Sequence, residues 1–86
     1  MKKVPIHSAQ ELASVLRDTR HQQSMSQTAV AERVGLKQAT VSAFENQPDS
    51  TKLMTLFSLL SALDLELMVC PKGASDINAA PEDSIW

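Results

Sequence analysis

Gly35 constrains this chain more than any other residue. It stands between two short stretches that both carry helical apolar spacing. In "SQTAVAERVG", Ser26 can cap a helix over residues 27–34, and Val30, Ala31 and Val34 face one way. Gly35 then supplies a left-handed stop. In "KQATVSAFEN", Val41 and Phe44 are the inward pair of a second short helix, Gln38–Asn46, and Leu36 covers the turn before it. Two short helices across a tight glycine turn need longer elements on either side to complete a core.

Those elements are legible. "HSAQELASVLRDTRHQQS" opens with a capping box, Ser8 at the N-cap and Glu11 three residues on. Leu12, Val15, Leu16 and Thr19 then form one apolar stripe. In "QPDSTKLMTLFSLLSALDL", Pro48 ends the preceding helix and Asp49 or Ser50 can cap the next. Its stripe is Leu53, Leu56, Phe57, Leu60 and Leu63, with Met54 and Leu59 lying off it. A helix apolar on more than one side implies a second surface that something must cover.

"LELMVC", residues 65–70, alternates and is rich in strand formers. A lone strand leaves its backbone groups unpaired. The segment near Val4 is a poor mate because Pro5 lacks a donor. The simplest partner is the same strand of a second copy, Leu65, Leu67 and Val69 sharing one face and Cys70 the other as a small packed residue, which predicts a homodimer. After Pro71 the chain turns to small, polar and acidic residues, expected to be disordered. The expected fold is therefore all-α: four helices, five with short turns, a dimerising strand and a tail. The domain boundary falls between a 1–70 domain and a 71–86 tail.

Composition narrows the classes. The chain has 86 residues, of which only Phe44, Phe57 and Trp86 are aromatic, so the core must be aliphatic. A domain of this size buries only about 60% of its unfolded surface and gains from further contacts. A single cysteine, Cys70, excludes an internal disulfide framework and a cysteine-based zinc site, and fits a reducing compartment. No apolar run approaches the ~20 residues a bilayer requires, and no signal-peptide core is present. A cytoplasmic protein with no membrane partner is expected. The net charge of −2 conceals a segregation: residues 1–40 carry six Lys/Arg against three Asp/Glu, residues 41–86 two against seven. That pattern is compatible with a basic surface for an anion.

Two short helices at a glycine turn, flanked by longer amphipathic ones, form a helix-turn-helix, whose second helix enters the major groove of DNA by its first residues. Gln38 opens that helix with an amide able to bond adenine N6 and N7 together. Ala39 and Ala43 keep the face low enough for close approach and for thymine methyls, and Ser42 can bond the facing base edge. Thr40, at the third helical position, can support the cap and reach a phosphate. Lys37 is an anomaly: it cannot cap, and its charge opposes the helix dipole. A broken local rule points to function, here a phosphate contact.

From Arg20 to Glu45 the chain resembles the Cro/repressor helix-turn-helix family, through "SQTAVAERVG" and "TVSAFE". The resemblance implies that Gln27 bonds a DNA phosphate and that Arg20 pairs with Glu45. The chain departs from the family pattern in having no glycine after Glu45, so Asn46 is expected to stop the helix. "KQATVSAFENQPDSTKLMTLFSLLSALDLELMVC" with an acidic tail ending in Trp is similar to the HipB-type antitoxins, partners of HipA-type serine/threonine kinase toxins. That similarity implies a dimer on palindromic operators that represses its own operon, sits on the nucleoid when bound, and binds the toxin. Ile85 and Trp86 would then be an apolar anchor for the toxin.

Other functions find less support in the residues. His7 and His21 lack metal-ligand spacing, and no motif positions a catalytic group, so neither enzyme activity, metal nor cofactor is expected. A stand-alone repressor would share the DNA chemistry and differ only in lacking a toxin. A pure interaction module would have no use for Gln27 and Gln38.

Overall fold

The computed structural model describes residues 3–73, and among them four α-helices and one 3₁₀ turn. They are α1 (Ala9–Gln22), α2 (Gln27–Arg33), α3 (Gln38–Asn46), the turn Pro48–Ser50, and α4 (Leu53–Ala62). The all-α helix-turn-helix expectation is met. Ala13 and Leu16 of α1, Val30 and Ala31 of α2, Val41 and Phe44 of α3, and Leu56, Leu59, Leu60, Ala62 and Leu63 close one core.

Side chains and backbone turns fix the helix ends. Ser8 Oγ accepts from the Glu11 N–H at 3.1 Å. Glu11 Oε1 reaches past the N-cap and accepts from the His7 N–H at 2.8 Å, a variant of the expected box. Ser26 Oγ caps α2 through the Ala29 N–H. Gly35 takes φ +70°, and the Leu36 N–H folds back onto the Ala31 carbonyl at 2.9 Å, as a left-handed C-terminal cap requires.

Several expectations need correction. The cap of α4 is neither Asp49 nor Ser50: residues 48–50 close their own 3₁₀ turn, and Lys52 occupies the N-cap without a side-chain bond. Asp49 instead accepts from Gln10 Nε2 of α1 at 3.1 Å. Asn46 does not stop α3; it remains helical, and Gln47 is the C-cap ahead of Pro48. On α4, Leu59 is 2% exposed, whereas Leu53 and Phe57 are 70% and 53% exposed. At about 100° per residue, Leu56, Leu59, Leu60 and Leu63 fall within one narrow arc. Leu53 and Phe57 lie on its flank, so the second apolar face is Leu53, Met54 and Phe57.

Residues 65–70 have no regular secondary structure, and no strand occurs among the described residues. A strand whose mate belongs to another copy has no ladder within one chain. Leu65 packs partly on the core, Leu67 and Val69 are exposed, and Cys70 is exposed rather than packed. Ile85, Trp86 and nearly all of the 71–86 tail lie outside the described residues. No helix among the described residues is long and apolar enough to cross a membrane.

Candidate nucleic-acid interface

Burial of Val41 and Phe44 fixes the rotation of α3. The opposite face of the helix is therefore open, and Gln38, Ala39, Ser42, Ala43, Asn46 and Gln47 line one shallow concavity along it. The four residues expected to read bases thus share one surface. Asn46 and Gln47 extend it. Asn46 lies four residues after Ser42 and eight after Gln38, a helical spacing that places it on the same face. Its expected part in ending the helix hid this.

Beneath that surface runs a directional chain of hydrogen bonds. Arg20 donates twice to Glu45, Nε to Oε2 at 2.7 Å and Nη2 to Oε1 at 3.0 Å, a two-point pair joining α1 to α3. A third Arg20 donor, Nη1, holds the Met25 carbonyl at 2.9 Å. Gln27 Nε2 donates to Glu45 Oε1 at 2.9 Å, and Gln38 Nε2 donates to Gln27 Oε1 at 2.6 Å. Because a carboxylate only accepts, each amide downstream has its orientation set in turn. Gln38 is left with one amide hydrogen and its carbonyl oxygen, the pair that adenine N7 and N6 require. The resemblance implies the Arg20–Glu45 pair; the link from Gln27 to Gln38 has no counterpart in the sequence reading.

Glu45 is the anchor, with a side chain only 7% exposed. Burial pushes its carboxyl up, but hydrogen bonds from Arg20 and Gln27 and the charges of Arg20 and Arg17 together outweigh this. Its pKa is held below the ordinary value. His21 Nε2 lies 3.2 Å from Arg20 Nη2, and since guanidinium only donates, the ring nitrogen accepts.

Lys37 is the N-cap of α3, exposed, in extended backbone and without a side-chain cap bond. Thr40 is half-buried on the first turn, its N–H donating to the Lys37 carbonyl at 2.9 Å. No group of three or more His, Cys, Asp or Glu that could hold a metal occurs among the described residues.

Two side chains that the sequence reading passed over join this unit to α4. Arg33 Nη1 donates to the Ala62 carbonyl at 2.9 Å, and Gln23 Nε2 to the Leu63 carbonyl at 2.8 Å. Both satisfy carbonyls at a helix end that would otherwise lack partners.

Comparison with known proteins agrees with this fold. A helix-turn-helix family profile matches residues 16–69. Antitoxin HipB of Escherichia coli O6:H1 is 40% identical over 82 residues, covering 94% of this chain and 87% of that protein. Antitoxin HipB of Escherichia coli K12 is 39% identical, over 92% of this chain and 85% of that protein. A solved HipA–HipB–O2–O3 complex contains a chain that matches with a TM-score of 0.79 at 39% identity, covering 80% of this chain and 97% of that one. A HipB–O4 20mer complex matches to the same extent. This chain belongs to the HipB-type antitoxins of the helix-turn-helix family.

Proposed function

We propose that this chain is the DNA-binding antitoxin of a toxin–antitoxin pair, a homodimer that represses its own operon at palindromic operators and neutralises a HipA-type serine/threonine kinase. The observation that carries the DNA half is the chain of bonds from Arg20 through Glu45 and Gln27 to Gln38. It orients one exposed amide before any DNA arrives, which lowers the ordering cost of binding. Gln38, Ala39, Ser42 and Ala43 read base edges, while Lys37, Thr40 and the remaining amide hydrogen of Gln27 hold phosphates. The relatives solved with operator DNA and with HipA support both halves, and a stand-alone repressor is not favoured.

A second copy covers the outer face of α4 and pairs residues 65–70, with Leu65, Leu67 and Val69 at the seam. Ile85 and Trp86 contribute to the grip on the kinase, and the complex works in the cytoplasm on the nucleoid. Co-purification tests the toxin half, using the full chain and a version ending at Cys70, each co-expressed with the kinase of its operon. Recovery of the kinase by the full chain and less by the short one supports the assignment. Equal recovery removes the tail from the interface, and no recovery by either removes the toxin.

A further inference from the structure

A hydroxyl within a helix ordinarily turns back onto the carbonyl four residues earlier. Thr19 and Ser58 do so, at 2.9 Å to the Val15 carbonyl and 3.1 Å to the Met54 carbonyl. Ser42, on the open face of α3, is arranged differently. Its Oγ accepts from Asn46 Nδ2 at 3.2 Å, and the same amide nitrogen donates to the Ser42 carbonyl at 2.9 Å. No acceptor among the described residues takes the Ser42 hydroxyl proton. Asn46 therefore occupies a lone pair of this hydroxyl and leaves the proton to the concavity that Ser42 shares with Gln38.

We propose that Asn46 is a positioning residue for base recognition, which biases Ser42 toward donating by taking one of its two lone pairs and leaving its proton free. A free serine hydroxyl accepts any base, because it can donate or accept. A hydroxyl biased toward donating gains most from an acceptor opposite it. Guanine offers two in the major groove, adenine and thymine one each, and cytosine only its amino donor. Ser42 so held favours guanine and disfavours cytosine, which can reach only its one remaining lone pair, a bias stronger than serine alone would show. The inference rests on α3 being the helix that contacts DNA.

The test is binding of the full-length protein to a pool of duplexes with randomised half-sites, followed by sequencing of the bound fraction. The wild type should disfavour cytosine by about tenfold at one position per half-site, within the range of a single good base contact. In Asn46→Ala that bias should fall to about twofold while the adenine preference under Gln38 persists. Ser42→Ala should flatten the same position, and the double variant should flatten it no further. Asn46→Asp should draw the hydroxyl proton to the carboxylate, so that cytosine becomes acceptable there at lower overall affinity. Matching thermal midpoints for Asn46→Ala and wild type exclude a folding artefact. An unaltered profile in Asn46→Ala, or one flattened equally at every position, overturns the proposal. A Gln38→Ala profile identical to wild type overturns the reading of α3 itself, a distinguishable failure.

Discussion

Ser24, Gly35 and Asp64 occupy the same place after three different helices, each with positive φ, at 56°, 70° and 59°. In each case the next N–H returns to the last turn: Met25 to the Arg20 carbonyl, Leu36 to Ala31 and Leu65 to Leu60. Only at Gly35 does the residue type announce the conformation. A Cβ built on Gly35 would meet nothing within 4 Å, so the demand there is on the backbone angle and not on space. Gly35→Ala should therefore cost about 1 kcal/mol, whereas Ser24→Gly should gain about 0.5–1 kcal/mol. Denaturant midpoints at constant m-value check both. Glu45 makes a different demand. Its folded pKa lies below its ordinary 4.5. The stability it contributes is thus fully present above about pH 4.5 and lost as pH falls through the lower folded value. Glu45→Gln should cost about 2–3 kcal/mol at pH 7 by stranding Arg20. The gap from wild type should narrow toward pH 3, and parallel curves would show that the carboxylate charge is immaterial.

At the scale of elements, α4 separates two kinds of apolar residue that composition does not distinguish. Leu59→Ala should destabilise each protomer by about 2–5 kcal/mol, because it empties a site with no solvent access. Leu53→Ser and Phe57→Ser should barely alter protomer stability and should instead raise the dimer dissociation constant, measured by sedimentation. An unchanged constant would remove this face from the interface. The same helix marks what sequence can tell. Its existence and second apolar side are legible from periodicity, yet the expected stripe runs too far round, through Leu53 and Phe57 rather than Leu59. Neighbouring 100° steps on an almost wholly apolar helix look alike until a partner fixes the rotation. α3 was legible in both extent and facing, because Val41 and Phe44 are isolated among small and polar residues. The start of α4 was not, since Asp49 had a competing partner 39 residues away in Gln10. Long-range polar bonds such as Gln27–Gln38, Gln23–Leu63 and Arg33–Ala62 leave no local signature at all.

The whole molecule places its proposed reading face and its uncovered apolar surface on separate elements. α3 carries the first; Leu53, Met54 and Phe57 with Leu67, Met68 and Val69 carry the second. Arg33 and Gln23 tie the two by holding the end of α4. A dimer built on the apolar surface would set two recognition helices against half-sites about 34 Å apart, or a multiple of that. Charge is secondary in such a design. Lys37→Ala should weaken specific and non-specific binding alike and flatten the salt dependence by about one phosphate contact. On the proposed function, specificity rests with Gln38 and the other residues of the base-reading face rather than with charge. The decisive measurement is the ratio of operator to random-duplex affinity for wild type and Gln38→Ala at one fixed salt concentration. The ratio should fall about tenfold or more, with random-duplex affinity changed less than about twofold. An unchanged ratio would mean that the chain of bonds ending at Gln38 orients nothing that DNA reads.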